Sequence, residues 1–115
     1  MGVTRTRYLS EFEIHVLLAV AQQGADAYGV SILREIERRS GRRVWIGPLY
    51  TSLAKLERLR LLRGRASEPL AIRGGRSRRF YSLTAAGTSS LYDSLAMLDR
   101  MRDGVRLRPV GSLPK

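Results

Sequence analysis

The chain has 115 residues, carries a formal net charge of +11 and contains no cysteine. This length suffices for one domain with a modest core, and the lack of cysteine excludes disulfides and thiolate metal sites. The longest apolar run, Val16 to Ala21, is too short to cross a bilayer. So large a positive excess favours a polyanionic partner. Nucleic acid is the predicted partner, and no membrane contact is expected.

The positive charge is concentrated in one part of the chain. Residues 55–79 hold nine Lys or Arg and only two Glu, which gives +7 of the total +11. A surface made basic for solubility, or by an Arg-rich genome, would not require such clustering. The clustering therefore favours a binding face for nucleic acid.

A first helix is predicted to begin after Ser10. Ser10 and Glu13 have the spacing of a capping box. Leu9 and Ile14 form the matching hydrophobic staple. Further apolar residues widen the surface beyond one stripe: Phe12, Val16 and Val20. A helix this apolar is expected to be buried on two sides, the second by another subunit.

A second helix is predicted over residues 27–40, with Asp26 as its cap and Gly41 as its stop. Its inner face is expected to hold four apolar side chains: Val30, Ile32, Leu33 and Ile36. Residues 43–46 are predicted as a very short extended segment. The charged residues between the apolar positions are expected to stay in solvent.

The third helix is predicted to start at Gly47-Pro48, because proline is favoured in a first helical turn. Its core side is expected to hold Leu49, Leu53 and Leu56, which recur at spacings of four and three. The helix should end near Leu59, since a further turn would bury the Arg60 guanidinium without a partner. The opposite side carries polar and basic residues: Thr51, Lys55 and Arg58, flanked by Tyr50 and Ser52.

Two strands are predicted next, at residues 61–67 and 77–83. Their connection contains Pro69 and Gly74-Gly75, which predicts a hairpin with an extended tip. Four arginines lie on or near this tip: Arg73, Arg76, Arg78 and Arg79. Such a loop suits phosphate contacts or insertion into the minor groove.

Thr84 can cap a last helix that runs to about residue 103. This helix and the first helix are too apolar for a monomer of this size. A dimer interface is therefore predicted from seven residues: Phe12, Val16, Val20, Leu91, Tyr92, Leu95 and Leu98.

Three helices, a hairpin and a terminal helix define a mainly α fold, a winged helix-turn-helix domain with a C-terminal dimerisation helix. In this architecture the helix after the turn docks in the major groove of double-stranded DNA. Small polar residues can approach base edges there, while Lys55 and Arg58 can bond guanine acceptors or phosphates. The expected divisions are a flexible arm (1–8), the winged helix (9–83), the dimerisation helix (84–105) and a disordered tail (106–115).

Three other function classes are less well supported. The single histidine, His15, lies in an apolar helical run, no Gly-rich phosphate loop follows a strand, and no carboxylate cluster suggests a metal. An enzyme is therefore not expected, and no catalytic residue, metal site or cofactor is predicted. A non-specific nucleic-acid-binding or architectural protein would use the same charge without base readout. An adaptor would bind a protein partner. The positive charge concentrated in the hairpin of residues 61–83, here called the wing, argues against this class.

Three stretches resemble one known family. The segments "IGPLYTSLAKLERLRLL", "GGRSRRFYSLTAAG" and "AYGVSILREIE" are similar to the PadR family of bacterial transcriptional regulators. The resemblance covers residues 9–91. Its most specific parts are the Leu-Tyr start of the third helix, the Gly-Gly-Arg wing and the Tyr-x-Leu-Thr exit.

The resemblance implies a cytoplasmic, nucleoid-associated homodimer whose C-terminal helix packs on the partner's first helix. It implies repression at a palindromic operator, often relieved by a small-molecule effector. Arg60 stands where the family often has glycine, so a left-handed turn there would cost about 1 kcal/mol more than with glycine. The full set of predicted DNA-binding residues is Tyr28, Pro48, Tyr50, Thr51, Ser52, Lys55, Arg58, Arg73, Arg76, Arg78 and Arg79.

Overall fold

The computed structural model of the protein describes residues 7–67 and 78–111. In chain order its elements are α1 (Glu11–Gln23), a 3-10 turn (Gly24–Asp26), β1 (Ala27–Tyr28), α2 (Gly29–Ser40), α3 (Ile46–Arg58), β2 (Leu62–Ala66), β3 (Arg79–Leu83) and α4 (Ala85–Arg102). The strands form one antiparallel sheet in the order β1-β3-β2. The predicted mainly α winged helix is confirmed, with one strand more than the predicted hairpin. None of the helices in this described part is long and apolar enough to cross a membrane.

α1 begins with the predicted capping box. The Ser10 hydroxyl accepts the Glu13 N–H at 3.2 Å, and the Glu13 carboxylate accepts the Ser10 N–H at 2.9 Å. Each bond satisfies a backbone donor that the start of a helix would otherwise leave open. The beginning of α1 is therefore specified by residues within one turn of it.

The wide apolar surface of α1 is covered within the chain. α2, α3, the sheet and α4 all contact α1, and Val16 and Val20 are 0% and 1% exposed. The prediction that these two valines form a dimer interface is wrong, because a side chain buried in one chain has no surface left for a second. Leu91 is removed from that interface for the same reason, since it lies in the same buried core.

The second helix starts later than predicted. Ala27–Tyr28 form β1, paired with β3, and α2 begins at Gly29. Ser31 completes the helix start, because its hydroxyl accepts the Tyr28 N–H at 2.9 Å and donates to the Tyr28 carbonyl at 3.0 Å. Asp26 lies in the preceding 3-10 turn. The predicted Asp26 cap is therefore wrong.

Two other predictions around α2 are corrected. Ile32 and Ile36 are buried as predicted, but Val30 is exposed, because two residues of helix rotate it about 200° from Ile32. The predicted extended segment, residues 43–46, is shorter than predicted, although Trp45 does have an extended backbone (φ −91°, ψ 138°). Val44 turns into the core and α3 already begins at Ile46.

α3 ends where predicted, with Leu59 as its C-terminal cap. Three leucines line its buried side at 0% exposure: Leu49, Leu53 and Leu56. Arg60 then adopts a φ of 61°, in the left-handed region, where a residue other than glycine carries about 1 kcal/mol of strain. The Arg60 carbonyl accepts the Thr84 hydroxyl at 2.7 Å. This bond ties the strained turn to the start of α4.

α4 is fixed to the rest of the chain along its first three turns. Thr84 caps it as predicted, because its hydroxyl accepts the Gly87 N–H at 2.9 Å. The helix passes so close to the turn after α3 that a Cβ on Gly87 would lie 2.0 Å from the Leu61 carbonyl oxygen. Farther along, the fully buried Ser94 hydroxyl accepts the Leu9 N–H at 2.9 Å. The later turns of α4 leave the core.

Candidate nucleic-acid interface

α3 presents one exposed face opposite its buried leucines. Spacings of four, three and four residues align four exposed positions, which we call the recognition ridge: Gly47, Thr51, Ala54 and Arg58. The Thr51 hydroxyl donates to the Gly47 carbonyl at 3.2 Å. Within residues 7–67 and 78–111, no acidic group pairs with Arg58. The ridge therefore consists of small side chains along most of its length and ends in a cation.

Two of the four ridge residues, Gly47 and Ala54, are missing from the predicted contacts. Their spacing could have identified them, because residues at i, i+4, i+7 and i+11 share one helical face. Neither side chain carries a group that could bind a base, but small side chains let a helix backbone approach its partner closely. Two predicted contacts lie beside the ridge, one exposed and one half-buried: Pro48 and Ser52.

Lys55 is held on the side of α3 that faces α1. Its ammonium nitrogen lies 3.0 Å from the Glu13 carboxylate, which is itself buried. Burial raises the pKa of Glu13, but the Ser10 N–H and the Lys55 ammonium outweigh it, so the pKa lies below its usual value. Lys55 therefore neutralises a buried carboxylate, and a base contact by Lys55 would require this ion pair to open.

Tyr50 joins the start of α3 to the start of α2. Its ring lies across Gly29, where a Cβ would stand 2.4 Å from the Tyr50 hydroxyl oxygen. A side chain at Gly29 would force the Tyr50 ring to shift. Tyr50 nevertheless stays half exposed, and Tyr28 immediately precedes Gly29 in the chain. Tyr28 and Tyr50, both predicted to contact DNA, therefore lie near each other at the starts of α2 and α3.

Two rings in edge-to-face contact, with an arginine at each end, cross the outer face of the sheet. Arg65 and Tyr28 are both register partners of Phe80. The Arg65 guanidinium lies 4.8 Å from the Phe80 centroid, and the Phe80 and Tyr28 rings meet edge to face at 6.0 Å. The Arg78 guanidinium lies 4.1 Å from the Tyr28 centroid. Stacking on a ring orients the Arg78 donors at the edge of the wing.

Arg79 points to the inner side of the wing. Its Nε donates to the Glu57 carboxylate at 3.2 Å, and its Nη2 donates to the second oxygen of the same group. This hydrogen bonding raises the pKa of Arg79. The pair passes over Gly64, where a Cβ would lie 2.7 Å from Arg79 and 2.8 Å from Glu57. Arg79 therefore ties the wing to α3, unlike the neighbouring Arg78.

Parts of three predicted segments lie outside the described residues. These are residues 1–6 of the arm, residues 68–77 of the hairpin tip with Arg73 and Arg76, and residues 112–115 of the tail. The predicted contacts by Arg73 and Arg76 remain predictions.

The later part of α4 leaves apolar side chains in solvent. Tyr92 and Met101 are each 72% exposed and Leu98 is 48% exposed. Leu95 and Phe12, also in the predicted interface, are partly buried against the core. A cleft of about 220 Å³ lies between α1 and α2, with His15 on its wall and Leu18, Ala19 and Ile36 among its apolar lining. The exposed side chains of α4 are an apolar surface that the described part of one chain does not cover, whereas Ala19 and Ile36 in the cleft are themselves buried.

A helix that follows a turn, carries an exposed ridge and stands beside a basic wing defines a winged helix-turn-helix protein of the DNA-binding class. The model of the PadR-like family of transcriptional regulators matches residues 17–93, more than half of the chain. The chain belongs to this family. No curated protein sequence matches it.

Solved structures agree with this assignment. A PadR-like transcription factor from Bacteroides fragilis is 25% identical with a TM-score of 0.68, over 80% of this chain and 84% of that chain. RosR from H. salinarum is 28% identical with a TM-score of 0.65, over 89% and 84% of the two chains. Bacillus subtilis PadR, solved with operator DNA, shares the fold at 19% identity and a TM-score of 0.63, over 90% and 52%.

Proposed function

We propose that the protein is a sequence-specific DNA-binding regulator that acts as a homodimeric repressor at a palindromic operator. The recognition ridge carries the proposal. A glycine, a threonine and an alanine let the backbone of α3 approach base edges, and Arg58 follows as a cation at the end of the helix. Bacillus subtilis PadR, of the same fold, has been solved with operator DNA. We also propose that a small-molecule effector relieves the repression, because the family resemblance implies it.

The wing supplies the second half of the contact. Arg78 lies exposed at its edge with its guanidinium stacked on Tyr28, and a planar guanidinium held in this way suits a phosphate oxygen. Phosphate contacts set the register of the protein on the duplex, and ridge contacts to bases select the sequence.

In-vitro selection from a random duplex pool tests the proposal. A regulator should enrich an inverted repeat whose half-site centres lie about one helical turn, about 34 Å, apart. The enriched duplex should bind at least about 1000-fold more tightly than bulk DNA at the same salt concentration. Tight binding without enrichment would favour the alternative, a non-specific or architectural nucleic-acid-binding protein that uses the same charge.

Arg78 and Arg79 are expected to differ in their effect on DNA binding. Arg78→Gln should weaken binding to all sequences about equally and flatten the dependence of log affinity on log salt by about 0.9 for each phosphate that Arg78 neutralises. Arg79→Gln should leave that slope unchanged, because Glu57 already holds the guanidinium. Fluorescence anisotropy at several salt concentrations measures both slopes. Equal slopes for the two variants would remove the distinction between a binding and a structural arginine.

The dimer is expected to form through the exposed apolar residues of α4. Leu98→Asp should dissociate it, because the new carboxylate would be stripped of water inside an apolar contact. Leu98 is 48% exposed in one chain, so the fold of the subunit should survive. Sedimentation at micromolar concentration and a thermal melt measure the two effects separately. Ser89→Asp, at an exposed position of the same helix, is the matched control. A wild-type monomer would contradict the proposed dimer.

A further inference from the structure

The single tryptophan of the chain lies in solvent directly before α3. Trp45 is 65% exposed and occupies the N-cap position of α3, where its side chain makes no capping hydrogen bond. An exposed indole forgoes most of the apolar burial that so large a ring offers. The preceding residue, Val44, already fills the core at this point. Neither the core nor the helix start accounts for a tryptophan here.

An arginine lies on the same ring. The Arg43 guanidinium is 5.0 Å from the Trp45 centroid. Its neighbour Arg42 is paired with Glu11 at 2.6 Å. Among residues 7–67 and 78–111, no carboxylate pairs with Arg43. In this described part of the chain, Trp45 and Arg43 therefore combine a broad apolar surface with an uncompensated, planar cation.

This pair directly precedes the recognition ridge in the chain. Only Ile46, which is also exposed, separates Trp45 from Gly47, the first ridge residue. When the ridge lies in the major groove of a duplex, the sugar–phosphate backbone runs along the edge of that groove. That backbone presents apolar deoxyribose faces between anionic phosphates, so it matches an indole beside a guanidinium in both shape and charge.

We infer that Trp45 and Arg43 form a backbone contact that fixes how α3 enters the groove, with the indole against deoxyribose and Arg43 on a phosphate. This inference rests on the proposed DNA binding and adds two residues to it. The contact positions the helix and reads no base. Its removal should therefore weaken binding to all sequences alike and leave the preferred sequence unchanged.

The sole tryptophan reports on its own environment. The protein is titrated with a dye-labelled duplex obtained by selection, while acrylamide quenching of Trp45 fluorescence is measured with excitation selective for tryptophan. Quenching should be strong in the free protein and largely abolished at saturation.

Trp45→Ala should weaken binding about tenfold, and Trp45→Phe, which keeps a ring, should weaken it less. Arg43→Gln should reduce the salt slope by about 0.9, whereas Arg106→Gln, which removes the same charge elsewhere, should not.

Anisotropy of the labelled duplex separates the inference from the function on which it rests. If the duplex binds and Trp45 remains as accessible as before, the backbone contact is overturned and the proposed function stands. If no duplex binds at all, the proposed function and the backbone contact are both contradicted. If Trp45 becomes protected without DNA as the protein concentration rises, a second copy of the chain covers it. That result also overturns the inference.

Discussion

Gly87→Ala is expected to destabilise the protein by about 3 kcal/mol or more. The new methyl group would lie 2.0 Å from the Leu61 carbonyl oxygen. The obstacle is backbone, so no side-chain rotation can relieve the overlap. α4 would have to move away from the turn that follows α3, and this movement would break the hydrogen bonds that Thr84 donates to the Arg60 and Leu61 carbonyls. A thermal or urea melt followed by circular dichroism measures the decrease in stability.

Gly47→Ala is the matched control for this prediction. Gly47 also lies in a helix, but a Cβ there has no neighbour within 4 Å. Its replacement should leave stability unchanged or raise it by up to about 1 kcal/mol, because alanine is the better helix former. If the two alanine variants melted alike, the close approach of α4 to Leu61 would not be a determinant of the fold.

Ala54→Glu is expected to weaken binding to the selected duplex about 100-fold, because a like charge facing DNA costs several kcal/mol. Ala54 lies in the middle of the recognition ridge and is exposed. Glutamate is a good helix former, so α3 should fold normally. The added carboxylate would stand between the helix and the base edges. Anisotropy with the labelled duplex measures the affinity, and a melt checks the fold.

Ala86→Glu provides the control for charge. Ala86 is exposed in the first turn of α4, so the variant has the same net charge and the same residue change at a distant site. Its affinity should fall only by the small amount that one unit of net charge explains. A similar decrease in both variants would mean that overall charge, and not the ridge, controls binding.

Features set by neighbours in the chain could be predicted from the sequence. The capping box at Ser10, the leucine face of α3 and the Thr84 cap depend on residues within about two turns, and each is present. β1 could not be predicted in the same way. It consists of two residues, Ala27–Tyr28, whose partners in β3 lie more than fifty residues later. A strand this short is specified by the sheet it joins and not by its own pattern.

The same limit applies to the candidate site. The sequence predicts that Lys55 and Arg79 contact DNA, and both are exposed in part. It does not predict that Glu13 and Glu57 reach them, because those contacts depend on how α1 and the wing pack on α3. The apolar excess of α1 is likewise visible in the sequence, whereas what covers Val16 and Val20 is not.

The residues at the start of α1 contact two helices that have different roles. Leu9 is anchored to Ser94 of α4, and Glu13, four residues later, holds Lys55 of α3. The Leu9 bond is buried, so breaking it would leave a hydroxyl and an amide without partners. A displacement of α4 must therefore either break that bond or carry the turn along, and the carried turn pulls on the helix that bears the ridge. Residues 9–13 therefore link α4 to α3 through one hydrogen bond and one ion pair.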